Sequence, residues 1–410
     1  MTTTTRRAWW IGRGLDVRSG RLTIAGRDAE DIARTAATPV YVHDCERVAE
    51  QARALEAALR AAGLDPRVRL ALKAQREVQL LAFLRRTVPF VGMDVCSPGE
   101  VDWALEHGWA PAEISYTGTN LSEDDLDRIL PTGIHVNVDL LTQLDRVGRR
   151  SPGSGVGIRV NPRIGASKGG GGMTFYTGER PTKFGIFPEQ LDDALSVAAR
   201  HDLTIDTVHF HVGDGYLNPG LPEFEESVRR VAPIVAELRA AGHPVEEVNT
   251  GGGLGMPEGP NEEPLDLERW AAILAEHLRP HDVAVGTEPG DFLVKEAVTH
   301  LAEVVTVERR DGVRFVGLNT GWNVMCEHFV YGAPVELVLC RDALGDPLDP
   351  VTVSGHINEG NDLFAEDCPF PEVREGDVVA ALHVGSYNGS MTSLHCLRER
   401  AATVFLEDRL

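Results

Sequence analysis

The chain has 410 residues, with 62 acidic against 40 basic side chains and a formal charge of −22. That length exceeds one small domain and suggests about two, while 42% hydrophobic and 25% charged residues exclude wholesale disorder. The negative charge argues against nucleic acid or an anionic membrane as partner, and no apolar run reaches the roughly 18 residues of a membrane span.

The N-terminus, MTTTTRRAWWIGRGL, carries an arginine pair with no apolar stretch behind it, so no export signal is expected. Within residues 1–35, Arg21–Ile24 reads as a strand that could join a β domain elsewhere in the chain. From residue 36 to 295 short β-branched runs alternate with stretches of helical period. The expected strands are Val68–Lys73, Phe90–Val95, Glu113–Tyr116, Ile134–Val138, Val156–Asn161, Thr207–Val212, Glu246–Thr250 and Val283–Thr287. Helical stretches such as Val48–Ala62, Pro98–His107, Glu123–Ile129, Pro188–Arg200, Glu223–Ala241 and Asp266–Leu278 lie among them. Eight strands with helices over about 230 residues have the size of a (β/α)8 TIM-like barrel; a doubly wound open sheet is the alternative that periodicity leaves open. Residues 296–410 change character. Leu301–Val307, Val313–Leu318, Val335–Leu339, Val351–Ser354 and Val378–Leu382 follow one another with turns between them, which reads as a C-terminal β domain. The fold class is therefore α/β, a barrel plus a β domain.

Six cysteines (Cys45, Cys96, Cys326, Cys340, Cys368, Cys396) show no CxxC spacing, which favours reduced thiols in a cytoplasmic protein over a disulfide framework or a zinc site. The Gly-rich run GASKGGGG lies in a long loop from Arg163 to Pro181, of the kind that borders a site.

In such a barrel, chemistry collects at the C-terminal ends of the strands. Those ends here carry Lys73, Asp94, Asn161, the alternating His209 and His211, Gly251-Gly252-Gly253 and Glu288-Pro289-Gly290. Lysine is scarce (Lys73, Lys168, Lys183 and Lys295 among 40 basic residues). Lys73 closes an apolar strand, where desolvation is expected to lower its pKa and free the amine for Schiff-base chemistry; a snorkelling strand-end lysine is the plainer alternative. Lys295 reads as a residue of a surface segment. Three glycines let backbone N–H groups approach an anion closely, or make only a turn. A carboxylate at Glu288 can hold a protonated ring nitrogen or cap a helix. One of the two histidines could stack flat on an aromatic cofactor; a two-histidine metal pair lacks an evident third ligand. Lysine, acid, stacking histidine and Gly-rich loop together describe a pyridoxal-phosphate site.

With those residues in place, the chain resembles the fold-type III pyridoxal-phosphate decarboxylases, the family of diaminopimelate and eukaryotic-type ornithine decarboxylases. The resemblance runs from about Pro39 to Arg400 through LALKAQ (Leu70–Gln75), DVCSPGE (Asp94–Glu100), TKFGI (Thr182–Ile186), HFHVGDG (His209–Gly215), NTGGGLG (Asn249–Gly255), EPG (Glu288–Gly290) and GSYNGSMTS (Gly385–Ser393). It implies Lys73 as the cofactor-binding lysine, His211 stacked on the cofactor ring and Glu288 on its nitrogen. Gly251, Gly252, Gly253, Gly290 and Tyr387 would bind the phosphate, and Asp94 would support lysine and cofactor. It also implies a homodimer with shared active sites, in which His356–Asp362 of one copy reaches the other's site.

Departures from the family matter as much. Asn358 stands where the family has a cysteine thought to return a proton to the substrate carbon, beside Glu359, which matches a substrate-binding acid. Asp214 replaces a phosphate-binding serine and is expected to point away or to act only through its N–H. Asp291 and Glu327, the latter just before Tyr331-Gly332-Ala333, replace arginines that hold the distal carboxylate of diaminopimelate. Two such exchanges repel a carboxylate and favour a cationic tail, unless the two acids face solvent or form local ion pairs. The expected reaction is pyridoxal-phosphate-dependent α-decarboxylation of a basic amino acid such as D- or L-lysine, ornithine or arginine. A specialised-metabolite or siderophore amino-acid intermediate is the alternative substrate; an amino-acid racemase and a non-catalytic regulatory paralogue rank below.

Overall fold

The computed structural model describes residues 8–168, 175–178 and 180–409; residues 169–172 of the Gly-rich run lie outside the described residues. Eight parallel strands close a barrel: Asp65–Ala71, Gly92–Val95, Ile114–Gly118, His135–Val138, Gly155–Arg159, Thr204–His209, Glu247–Asn249 and Ala284–Thr287. Each expected barrel strand is present, and closure of the first strand onto the eighth (Val68 beside Thr287) decides against the open sheet.

Local signals start the helices. Ser97 accepts a hydrogen bond from the Glu100 N–H ahead of helix Pro98–Glu106, whose first residue is proline. Ser122 and Asp125 form a reciprocal capping box at helix Glu123–Ile129. Two helices absent from the expectations, Val78–Thr87 and Leu141–Arg150, bury Leu80, Leu81 and Leu84, and Leu144 and Val147. Beside the rim, Tyr216, Phe224 and Trp270 stack at 5.4 and 5.9 Å, and the Trp270 indole donates to the Tyr216 hydroxyl at 3.1 Å. This cluster fastens the loop after the sixth strand to helices Leu221–Ala240 and Leu267–Leu278.

The β domain is built on the long strand Val298–Arg310, which pairs with Val313–Leu318 on one side and Val378–Leu382 on the other. Leu363–Pro369 and Ala402–Leu406 are strands that turn-rich sequence concealed. One boundary moves. Val40–Asp44, inside the 36–295 span assigned to the barrel, pairs antiparallel with Val298–Leu301 and parallel with Ala402–Leu406. Every residue of this strand is buried, so it needs a covered place inside a sheet, and the β domain supplies it. Strands Leu15–Arg18 and Arg21–Ile24 form a small separate sheet whose Leu15, Leu22 and Ile24 pack with Val338, Ala380 and Leu382. The helix after Val40–Asp44, Cys45–Ala61, returns to the barrel, and its buried Arg47 grips Glu296 at 2.6 Å where barrel and β domain meet.

Candidate active site

The strand ends and the β-domain helix Cys326–Tyr331 enclose a cavity of about 620 Å³. Lys73, Asp94, His211, Gly252, Gly253, Glu288, Gly290, Asp291, Glu327, Tyr331 and Tyr387 line it. Most of the expected site is thus one constellation drawn from first, second, sixth, seventh and eighth strand ends and from the β domain.

Lys73 lies two residues past the end of its strand and opens onto the cavity. Burial pushes its pKa down, as expected, but the charge of Asp94, with Cys96 and Tyr176, outweighs burial and leaves it raised. The charges around the amine thus oppose the desolvation that the strand end implies. Asp94 is the reciprocal case. Burial and the charge of Glu288 push its carboxyl well above the ordinary range against Lys73 and Arg69, and one of its oxygens is buried with no partner among the described residues.

Glu288 is buried at the end of the eighth strand. It accepts from Asn249 Nδ2 at 2.6 Å and meets His209 Nε2 at 2.9 Å. Burial would raise its pKa; His209, Arg69 and Asn249 outweigh that and bring it down to about 2. Glu288 therefore presents a fixed negative charge. His211 is the other member of the alternating pair. Burial, Arg159 and Lys73 hold it neutral, its Nδ1 accepts the Gly252 N–H at 3.2 Å, and the Tyr176 ring meets it edge-on at 4.6 Å.

The glycine loop differs from expectation in part. Gly252 and Gly253 line the cavity and Gly251 does not. The Gly251 N–H is spent on Asn249 Oδ1 at 2.9 Å and that of Gly252 on His211, because the turn folds back onto the strand ends. Gly253 takes φ +91°, and a Cβ there would stand 2.2 Å from the Gly213 carbonyl oxygen, so the close approach tolerates no side chain. Gly290 packs against Ala74 and the Tyr387 hydroxyl.

The distal side holds the largest surprise. Lys295, read as a surface residue, is 4% exposed. It forms ion pairs with Glu258 and, at 2.7 Å, with Glu327; the apolar helix Asp291–Val294 turns its end inward beneath the β domain. Lys168 also pairs with Glu258. Burial and the Asp291 charge push Glu327 up to about 7, against Lys295. Asp291 makes no side-chain hydrogen bond among the described residues, and one of its oxygens is buried. Asp214, expected to point away, also lines the cavity.

Asn358 and Glu359 are exposed and do not line this cavity. Glu359 pairs at 3.0 Å with His395.

Sequence reasoning missed Arg159, Tyr176, Glu258 and Lys168. Arg159 ends the fifth strand and lines the cavity, whereas Asn161, noted as that strand's end, does not. Glu258 sits in a Gly/Pro loop without period, and no local signal marks it.

The residues fit a pyridoxal-phosphate group: an amine open to the cavity, a fixed carboxylate, a neutral imidazole face, a glycine approach and an unspent Asp94 oxygen. Residues 45–295 match the family model described as the pyridoxal binding domain of pyridoxal-dependent decarboxylases. Diaminopimelate decarboxylase of Methanothermobacter thermautotrophicus is 32% identical over 398 residues, 95% of this chain and 91% of the relative. That of Streptomyces coelicolor is 30% identical over 83% of this chain and 79% of its own length. The structure of Helicobacter pylori diaminopimelate decarboxylase with L-lysine superposes with a TM-score of 0.83 at 27% identity, covering 92% of this chain and 94% of that one. Among the described residues no helix is long and apolar enough to cross a membrane.

Proposed function

Because this chain belongs to the pyridoxal-dependent decarboxylases, we propose that it removes the α-carboxylate of an amino acid with a cationic tail, of the lysine, ornithine or arginine class. The observation that carries this reading is the distal wall. Asp214, Glu258, Asp291 and Glu327 face the cavity against Lys168 and Lys295, and Asp291 keeps unused acceptors. A tail carboxylate meets net negative charge there; an ammonium or guanidinium meets an Asp291 oxygen that makes no hydrogen bond among the described residues, in a carboxylate whose charge also acts on Lys295.

The cofactor, when bound, supplies an electron sink for the carbon that loses CO2. In this reading Lys73 holds the cofactor covalently, Glu288 keeps a ring nitrogen protonated, and His211 supports the ring face. Gly252, Gly253, Gly290 and Tyr387 bound the phosphate end. Replacing Glu288→Gln removes the fixed charge while keeping the shape, and kcat with cofactor bound is expected to fall by about 100-fold or more, checked by steady-state kinetics. A homodimer would bring Asn358 and Glu359 to the neighbouring copy's cavity; the exposed Tyr331, which lines the cavity, and the exposed Val330 next to it in the chain favour such a contact.

A second reading rests on Lys295 and Lys168, two cations on the same wall that could receive the second carboxylate of diaminopimelate, the substrate in the relatives' names. CO2 release from D- and L-lysine, ornithine, arginine and meso-diaminopimelate separates the two. Turnover of a basic amino acid without diaminopimelate is expected; turnover of diaminopimelate alone reverses the assignment. The distal wall also predicts a pH effect. Glu327 gains its negative charge as pH rises through about 7, so KM for a cationic substrate is expected to fall between pH 6 and pH 8. In Glu327→Gln that slope should flatten.

A further inference from the structure

We propose that Asp214 holds the cofactor phosphate as a protonated carboxylic acid, donating its O–H to a phosphate oxygen. This rests on the phosphate-end assignment above and gives Asp214 a role there. The backbone fixes where Asp214 stands. Its two chain neighbours are glycines, and both lie directly against the glycine loop. A Cβ at Gly253 would meet the Gly213 carbonyl oxygen at 2.2 Å, and one at Gly255 would meet that of Gly215 at 2.2 Å. The Tyr216 N–H donates to the Gly253 carbonyl at 3.0 Å, and the Gly255 N–H donates to the Tyr216 carbonyl at 2.9 Å. The two turns are thus joined edge to edge. Asp214 is exposed and lines the cavity together with Gly252, Gly253, Gly290 and Tyr387.

Donors at this end are few. The N–H groups of Gly251, Gly252 and Gly255 are spent inside the protein. Of the lysines and arginines lining the cavity, Lys168 and Lys295 are tied to glutamates and Arg159 stands 3.6 Å from Asp139. Lys73 is committed to the covalent hold. A phosphate dianion would therefore meet an ionised Asp214 with little to offset the repulsion. A proton on Asp214 turns a repelling acceptor into a donor, and an O–H to an anionic oxygen is among the stronger hydrogen bonds.

The surrounding charges favour that proton. Asp291, Glu258, Lys295 and the Tyr176 hydroxyl face Asp214. Partial burial and the Asp291 charge push its carboxyl above the ordinary range with help from Glu258, against its own N–H and Lys295. A bound phosphate adds negative charge that acts in the same direction. Carboxyl and phosphate then titrate as a pair that keeps one proton. With Asp214 neutral, Glu258, Asp291 and Glu327 still set three carboxylates against the ammoniums of Lys168 and Lys295, so the distal wall keeps its net negative charge above pH 7.

The test is calorimetric binding of pyridoxine 5′-phosphate to the full-length apoenzyme. This probe carries the phosphate but no aldehyde, so no bond to Lys73 contributes. In buffers of different ionisation enthalpy near pH 8, wild type should take up about one proton more per site than Asp214→Asn, whose amide donates without one. Between pH 7 and pH 9 the Kd of wild type should rise relative to that of Asp214→Asn by about tenfold or more. Asp214→Ser, which supplies a neutral hydroxyl donor, should match Asp214→Asn and replaces it if that variant does not fold. Equal proton uptake in wild type and variants overturns the inference, whatever their affinities; tightening by one constant factor at every pH would mark Asp214 as an ionised neighbour of the phosphate. Tyr387→Phe then tells which statement has failed. Weaker binding in Tyr387→Phe keeps the phosphate end and removes the role of Asp214 alone. Unchanged binding in Tyr387→Phe and Asp214→Asn together removes the phosphate-end assignment beneath it.

Discussion

Lys73→Ala protein is expected to release CO2 from any amino acid at least about 1,000-fold more slowly than wild type, because the covalent hold on the cofactor goes with the amine. The chain offers few substitutes. Of its four lysines, Lys168 and Lys295 line the cavity but are tied to glutamates. Lys183 lies over the Phe184 ring at 5.0 Å and does not line the cavity. Lys73 alone among them opens onto the cavity without a direct ion pair among the described residues, its charge supported at longer range by Asp94. The companion measurement is peptide mass spectrometry after borohydride reduction of the wild-type holoenzyme. The cofactor mass is expected on the peptide that contains Lys73; finding it on the Lys183 peptide would move the centre of the site.

The second large effect belongs to the distal wall. Replacing Asp291 and Glu327 together by arginine changes the local formal charge by about four units, and kcat/KM for a basic amino acid is expected to drop by about 100-fold or more. The two positions should not contribute equally. Glu327 is already spent on Lys295 and Asn388, so its loss unsettles the wall, whereas Asp291 acts on Lys295 through charge alone and makes no side-chain hydrogen bond among the described residues. Asp291→Arg alone should therefore account for most of the rise in KM, with kcat less affected, as a residue that binds the tail and not the reacting carbon requires. Steady-state kinetics on the single and double variants check this. An unchanged KM in Asp291→Arg would mean that the tail does not reach this wall.

The constellation around Lys73 was legible because each member is tied to a strand end. Alternation within Val-His-Phe-His puts His209 and His211 on one face, and the structure divides them, His209 to Glu288 and His211 to Gly252. What alternation could not show was where backbone donors would go. Gly251 and Gly252 spend their N–H groups inside the protein. The pKa of Lys73 was misjudged for a related reason. Burial is visible in an apolar run, but the opposing Asp94 comes from a different strand.

The amino-acid sequence by itself determined the eight βα repeats, the change to a β domain after the eighth strand, and the residue types at each strand end. Those follow from short-range periodicity and steric preference, which act between neighbours in the chain. Only the tertiary structure decided that Val40–Asp44 belongs to the β-domain sheet, that Lys295 is buried, and that Glu258, Glu327 and Lys295 meet on one wall. Those outcomes depend on charges and strand edges far apart in sequence. Whether a carboxylate is free or neutralised is set by what stands within a few ångströms of it, and that distance exists only once the chain has closed.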